Sequence, residues 1–391
     1  MTETAKRDWA WRFWFTVPIY PYGTRRTLRI EVVPDTIWTF DQLQGILYVV
    51  TPIRMTVVKL AAGGLLVYAP VAPTPECIRL VNELVAAHGT VQYIILPTIS
   101  GIEHKACVGP FARHFPTAQV YVAPSQWSFP LNLPLSWLGF PIGRTHVLTA
   151  DAAPFTTDFD YAILGPLDLG LGKFGEVALY HRQSRTLLLT DTIIAVPEAP
   201  PAIVQLDPTP LLFHAKTSVD DVVTDTAMNR QIGWQRIALF AFYFRPSALE
   251  VVEFGPSLRA ARQASDRSKS AYWGWFPLSW QPGWQQSFAA LRGDGRPFVA
   301  PILQALILNR DPQTTLAWVE RVASWDFAQI IPCHFASPIA ATPHQFRQAF
   351  AFLTPRSPAP NALPEADFRL LRQIDQQLTQ RGITPPPAPQ P

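Results

Sequence analysis

Residues 91–104 read VQYIILPTISGIEH, and the order of side chains in this stretch decides the architecture. Val91 to Leu96 is a short β-branched and aromatic run, the composition of a buried strand. Pro97 ends it, a loop follows, and Glu103 and His104 stand just ahead of a helix expected over about 106–115. Upstream, Pro75 to His88 places Ile78, Leu80, Val81, Leu84 and Val85 on one helical face, with Pro75 where a first turn tolerates it. Downstream, QVYVAP at 119–124 is the next strand. Strand, helix, strand, helix, strand in this order predicts a layered α/β domain.

Further out, ILYVV at 46–50, RMTVVKL at 54–60 and LLVYAP at 65–70 read as strands, with Gly63-Gly64 as a hairpin turn. Beyond the centre come FDYAILGP at 159–166, GEVALYH at 175–181 and RTLLLTD at 185–191, the last two joined by a polar turn. Between Thr192 and about Gly295 the pattern is less regular, apart from a helix over Met228 to Phe244. Helices are expected over Pro297 to Leu308, Pro312 to Ser324 and Ala366 to Arg381, and a strand at FAQIIP, 327–332. Strands followed by helices in both the first and last thirds suit a sandwich of two αβ halves. The chain divides into an aromatic and basic segment at 1–27, a domain at 28–355, and a helix with a Pro-rich tail at 356–391.

With 48% hydrophobic and 16% charged residues, the composition is that of a well-buried globular protein. Thirty-two Lys and Arg against 29 Asp and Glu leave +3, too balanced for a nucleic-acid partner. No apolar run reaches the roughly 18 residues of a spanning helix, and the start MTETAKRDWAWRFW lacks the apolar region of a secretory signal. Export is not expected. Cys77, Cys107 and Cys333 have no CxxC spacing and fit buried thiols in a reducing compartment. Walker-type, GxGxxG and GxSxG signatures are absent, which weakens nucleotide-dependent and serine-hydrolase readings.

Four metal-competent side chains follow apolar strands. Glu103 and His104 come after VQYIILPT, Asp191 ends RTLLLTD, and His334 follows FAQIIP. In layered α/β proteins, sites form outside strand ends, and imidazole with carboxylate suits zinc, manganese or iron. The bland readings stand beside this one. Glu103 would also favour a helix start electrostatically, Asp191 is an ordinary turn residue, and His334 next to Cys333 would also serve as a satisfied core histidine.

The order of these residues resembles the metallo-β-lactamase superfamily. Its first motif, His-x-His-x-Asp-His, is matched here by Ile99-Ser100-Gly101-Ile102-Glu103-His104, so Ile99 and Gly101 replace two histidines and Glu103 replaces Asp. A third histidine, expected near Gly172, is also missing. The resemblance implies an α/β fold, a four-layer αββα sandwich with a degenerate metal motif. It also implies that the surviving set, Glu103, His104, Asp191 and His334, holds at most one divalent transition metal. The stretches at 103–134, 176–193 and 330–339 resemble more closely an uncharacterised domain family of cyanobacteria and plastids, over roughly residues 30–350.

Two functions follow as expectations. One is a non-catalytic binding or assembly module in oxygenic phototrophs, cytoplasmic or peripheral at the thylakoid, with a membrane surface or a protein as partner. The other is a single-metal hydrolase with His104, Asp191 and His334 as ligands and Glu103 as ligand or general base. Trp9, Trp11, Phe13, Trp14 and Phe15 beside Lys6, Arg7 and Arg12 read either as an interfacial anchor or as a lid on the domain. The four tryptophans of AYWGWFPLSWQPGW, 271–284, suit an aromatic pocket, a docking face or plain packing. Arg259, Arg262, Arg267 and Lys269 form either a headgroup-facing patch or a solvated basic loop. Asp220, Asp221 and Asp225 read as a solvated helix start after Ser218, and His181 as a solvent-facing or cross-strand residue.

Overall fold

The computed structural model describes residues 7–11, 20–21, 23–126, 133–150, 153–354 and 363–389. Lys6, Arg12, Phe13, Trp14 and Phe15 lie outside the described residues. Seven strands form the first sheet in chain order: β1 (Leu28–Val33), β2 (Ile37–Ile46), β3 (Val49–Lys59), β4 (Leu65–Tyr68), β5 (Val91–Leu96), β6 (Gln119–Val122) and β7 (Thr145–Val147). Pairing is antiparallel through β4 and parallel from β4 to β7, where helices α1 (Pro75–His88) and α2 (Ile102–Ala112) make the first two crossovers. The second sheet contains β8 (Phe159–Asp168), β9 (Lys173–His181), β10 (Thr186–Leu189), β13 (Gln329–Pro332) and β14 (Ile339–Ala340), in the order β14-β13-β10-β9-β8. Helices α3 (Ala202–Gln205), α4 (Thr209–Ala215), α5 (Ala227–Tyr243), α6 (Phe254–Gln263), α7 (Trp284–Arg292), α8 (Pro301–Leu306) and α9 (Pro312–Val322) fall between β10 and β13, with a small hairpin of β11 (Leu249–Val251) and β12 (Leu278–Trp280).

Side-chain alternation along the strands sets the layers. Leu66 and Tyr68 of β4 meet Val177, Leu179, Leu188 and Ile331 in a core between the two sheets. Leu65 and Val67, pointing the other way, pack on Cys77, Val81 and Leu84 of α1 and on Val108 and Phe111 of α2. On the far side, Ala178, Tyr180, Leu187 and Leu189 pack among Trp234 and Ile237 of α5 and Trp318 and Val322 of α9. Helix, sheet, sheet, helix: the four layers are those of the αββα sandwich.

Several boundaries differ from the sequence reading. Residues 46–50 are not one strand: Ile46 ends β2, Val49 opens β3, and Leu47 and Tyr48 between them form the hairpin tip at φ +52° and +60°. Two non-glycine residues in the left-handed region are costly. Tyr48 offsets that cost by packing against Tyr20, Phe213 and Tyr272, at ring separations of 5.3, 5.2 and 4.8 Å. Gly63 and Gly64 turn β3 into β4 at φ +87° and +84°, the backbone that favours glycine. The helix expected over 106–115 begins at Ile102, so Glu103 and His104 belong to its first turn. Phe298 bridges to Ile194 outside any helix, and α8 starts only at Pro301. No helix starts at Ser218: Asp221 accepts from the N–H and hydroxyl groups of Thr217 and Ser218 in a turn, and α5 begins after Thr226. His181 is buried, not solvent-facing; it pairs across strands with Phe159 and Thr186 and bonds Ser184 Oγ at 2.7 Å. No helix of the described residues is long and apolar enough to cross a membrane.

Candidate metal centre

The loops leaving β5, β10 and β13 meet, although they lie on two sheets. Thr98 bridges to Glu176 of β9, with Ile99 N–H to Gly175 O at 3.1 Å and Val177 N–H to Pro97 O at 2.7 Å. Thr98 Oγ1 then accepts the Gly101 N–H at 3.1 Å and turns the chain into α2. The first turn of α2 thereby carries Glu103 and His104 toward His334.

Each histidine is oriented from behind. His104 Nδ1 lies 3.2 Å from Pro70 O and His334 Nδ1 lies 2.9 Å from Pro52 O. A carbonyl only accepts, so both rings carry their proton on Nδ1 and turn Nε2 inward. Fixing the outer nitrogen in this way is how proteins aim imidazole at a metal. His104 is fully buried and its Nε2 has no hydrogen-bond partner. One ligand atom each from Glu103, His104 and His334 lie within 4.8 Å of one another. Ligands on a single ion stand about 3 to 4 Å apart when bonds are near 2 Å, so the set is slightly wider than a loaded shell. Donor chemistry and the orphaned nitrogen fit one borderline divalent ion.

Asp191 stands at the margin. Its Oδ1 is 3.1 Å from His334 Nε2, while Glu103 Oε1 is 3.9 Å from the same atom. Asp191 therefore pairs with His334 but falls outside the three-residue group. Burial acts to lower the His334 pKa, yet the Asp191 hydrogen bond and charge, with Glu103, hold it up at about 9. Burial would raise Asp191; the bond to His334 and the nearby imidazoles bring it below the usual carboxylate range. His104 is held below the ordinary histidine value by burial, with Glu103 pulling the other way. Without a bound ion, an imidazolium at His334 and the Asp191 carboxylate complete the charge balance. The side chains of Glu103 and His334 are 15% exposed and that of Asp191 is 24%, so the centre is not wholly closed to solvent.

Ile99 and Gly101 stand where the resembled motif has histidines. Ile99 is fully buried in the core between the sheets, pressed over Gly175. A Cβ on Gly101 would lie 2.6 Å from Thr98 Cγ2 and 3.1 Å from Glu103 Oε1. A side chain there would push on the Glu103 carboxylate itself. These residues do not fit a second ion.

Two anchors escaped the sequence reading. Arg54 of β3 forms a buried ion pair with Asp41 of β2, Nε to Oδ1 at 2.7 Å and Nη2 to Oδ2 at 3.0 Å. The same guanidinium donates to Pro332 O at 2.7 Å and Phe335 O at 3.0 Å, straddling His334. Glu176 is the second. Its carboxylate is fully buried and accepts the N–H groups of Thr190, Asp191 and Thr192 at 2.7, 3.1 and 3.0 Å, and the Thr192 hydroxyl at 3.1 Å. Burial and the charge of Asp191 push the Glu176 pKa up to about 7 against those three donors. The available signal was a lone charge inside each apolar strand, in PIRMTVV and in GEVALYH. Of the other sequence candidates, none joins this centre: Asp225 pairs with Arg230, and the three thiols are buried and free.

Paired sheets with flanking helices, and a histidine–carboxylate cluster at the strand ends, define a metallo-β-lactamase-like fold. Within that class, the chain belongs to the family described as Domain of unknown function (DUF4336), whose model matches residues 34–352. Among curated proteins, none matches the sequence. Among solved structures the chain is similar to a metallo-β-lactamase from Pontibacter korlensis, at 12% identity and TM-score 0.31, covering 42% of this chain and 70% of that one. It is similar to the metal-soaked Flv1 flavodiiron core from Synechocystis, at 8% and 0.40, covering 83% and 60%. The flavodiiron protein from Giardia intestinalis gives 8% and 0.43, covering 84% and 59%. The chain thus spans about three fifths of the two flavodiiron chains.

Proposed function

We propose that this protein carries one divalent transition metal, zinc, iron or manganese, on Glu103, His104 and His334, with Asp191 as the neighbouring carboxylate. The ion ties the loops after β5 and β13 into a rigid edge, and the edge serves as a binding or assembly module of oxygenic phototrophs. The carrying observation is the His104 Nε2 atom, fully buried, without a partner, on a ring whose other nitrogen faces a backbone carbonyl. An isolated buried acceptor costs about 1–3 kcal/mol, and a ligand bond removes that penalty. Ile99 and Gly101 argue against the two-ion chemistry of the parent superfamily. The phototroph setting rests on the sequence resemblance described above.

A second reading, single-metal hydrolysis, is favoured by Asp191, a carboxylate beside the three donors and 24% exposed. A metal with an open position supplies Lewis acidity and a more acidic bound water. Asp191 would accept a proton there, its backbone held by the bond from its own N–H to the Glu176 carboxylate.

One preparation tests both. Protein purified without chelator and loaded with zinc, manganese or ferrous iron is expected to retain about one equivalent by elemental analysis. His104→Ala should retain less than about a tenth of that. No retained metal, or equal loading of the variant, overturns the metal reading. Turnover of a nitrophenyl phosphodiester by the loaded parent, lost in both His104→Ala and Asp191→Asn, would establish hydrolysis instead of a passive role.

A further inference from the structure

Helix α6 lies in the irregular central region, and the function proposed above makes no use of it. Ser257 and Ala261 face inward, four residues apart, and Phe254 and Leu258, also four apart, face out. The helix is held against a 3₁₀ turn, Lys269–Gly274. Trp275 Nε1 donates to Ser257 Oγ at 3.3 Å, and a Cβ on Gly274 would lie 2.6 Å from Ala264 Cβ. Glycine at 274 allows that contact. Tyr272 and Trp273 precede it in the left-handed region, at φ +49° and +57°, and Trp273 projects from the surface. Phe254 is 72% exposed and Trp273 63%, well beyond what packing a core residue leaves. Leu258, Ala261, Arg262, Arg267 and Trp273 line one shallow depression of about 380 Å³.

Charge is concentrated on the same face. Residues 254–270 hold Arg259, Arg262, Arg267 and Lys269 against one acid, Asp266, a surplus equal to the +3 of the whole chain. Asp266 is occupied by the Ser268 N–H at 2.8 Å. Arg267 Nη1 donates to Arg262 O at 3.4 Å, which ties Arg267 to the end of the helix. Two further acids adjoin the segment: Glu253 at the head of the helix and Asp220, whose Oδ1 accepts the Ser265 N–H at 3.4 Å.

We propose that the face built by α6 and the 269–274 turn docks on anionic membrane surfaces. Trp and Phe protruding beside Arg match the headgroup boundary, where an indole is half in apolar surroundings and cations meet phosphate. A protein partner would be met by recessed anchors in pockets, whereas these rings stand proud of the surface. Arg262 and Arg267, lining the depression with Trp273 and Leu258, suit a lipid phosphate whose chains continue outward along the rings.

Flotation of the full chain with vesicles provides the test. Binding is expected to phosphatidylcholine vesicles containing about a third phosphatidylglycerol, with little binding to phosphatidylcholine alone, and with release at about 0.5 M salt. Arg259→Gln combined with Arg262→Gln and Arg267→Gln should reduce bound protein about tenfold or more, and Phe254→Ser with Trp273→Ser by a similar factor. Both sets are exposed, and an unchanged midpoint of denaturant unfolding would report intact folding independently of lipid and of metal. Equal flotation of the Arg variant, or no preference for anionic vesicles, overturns the proposal. So does absence of flotation when the parent, but not the variants, retains a protein partner. His104→Ala should float as the parent does, so failure here and failure of the metal reading are separable.

Discussion

The two loops that bring Asp191 and His334 to the centre are held by opposite means. The 332–335 loop turns two carbonyls toward a buried cation, Arg54; the 190–192 segment turns three N–H groups toward a buried anion, Glu176. Arg54 has a full counter-charge, because Asp41 takes Nε and Nη2 within 3.0 Å. Glu176 has only dipoles, and its nearest charge, Asp191, is of the same sign. Burial and that repulsion lift it to about 7. The difference teaches that a backbone loop is fixed most firmly by a charge that is itself neutralised. The His334 side is therefore the rigid half of the site and the Asp191 side the adjustable half.

The largest effect should come from breaking the neutralised anchor. Asp41→Ala leaves Arg54, 3% exposed, without its counter-charge, and an unpaired buried charge typically costs about 3–5 kcal/mol. Denaturant unfolding monitored by tryptophan fluorescence measures it. Arg54→Met together with Asp41→Leu should recover much of that stability, since apolar replacement of a buried pair is often neutral. The double variant still strips Pro332 O and Phe335 O of their donor, so metal retention should fall even as stability returns. Retention equal to the parent would remove Arg54 from its positioning role.

A smaller effect comes from a buried group remote from both loops, and it sharpens how their acid sensitivity is read. His214 lies under the β2–β3 hairpin tip, with Nε2 3.2 Å from Leu47 O and Nδ1 buried without a partner. Phe213 and Phe240 flank the ring, and Arg236 is the charged neighbour. Burial and Arg236 push its pKa down to about 4, with the backbone at Leu47 and Tyr48 opposing. The unfolded chain binds this proton first, so stability is full above about pH 6.5 and lost as pH falls toward 4. The loss is at most about 3 kcal/mol. His214→Phe should make this limb of the stability–pH curve shallower, leaving what His104, His181 and the site carboxylates contribute. An unchanged limb would show that His214 is not the group responsible.

Much of the fold was legible because it is local. LLVYAP, VQYIILPT, QVYVAP and GEVALYH declare strands by composition, and Pro75 and Gly63-Gly64 mark a helix start and a turn. The hairpin at Leu47-Tyr48 was hidden, since no glycine or asparagine announces it and distant rings hold its strained backbone. Helices α3, α4, α6 and α7 were hidden in the region of irregular pattern, all four of them ten residues or shorter. Glu103, His104, Asp191 and His334 stood out because each follows an apolar strand. What holds them did not, because Arg54 meets Pro332 O and Phe335 O from 278 and 281 residues away. A charge in a strand shows its purpose only once the fold places backbone groups around it.

The smallest change tests the adjustable half. Glu176→Gln keeps the shape but converts one acceptor into a donor. With its carbonyl toward the Asp191 and Thr192 N–H groups, its amide faces the Thr192 hydroxyl, which can turn and accept. Only the Thr190 N–H then lacks a partner, and one unsatisfied buried donor costs about 1–3 kcal/mol. Removing the repulsion with Asp191 offsets part of this, so a net loss of about 1 kcal/mol is expected, well below that of Asp41→Ala. Metal retention should survive, because Glu103, His104 and His334 do not depend on the 190–192 segment. A Glu176→Gln protein less stable than Asp41→Ala, or one that no longer retains metal, would invert the comparison and make the anionic anchor the one that organises the centre.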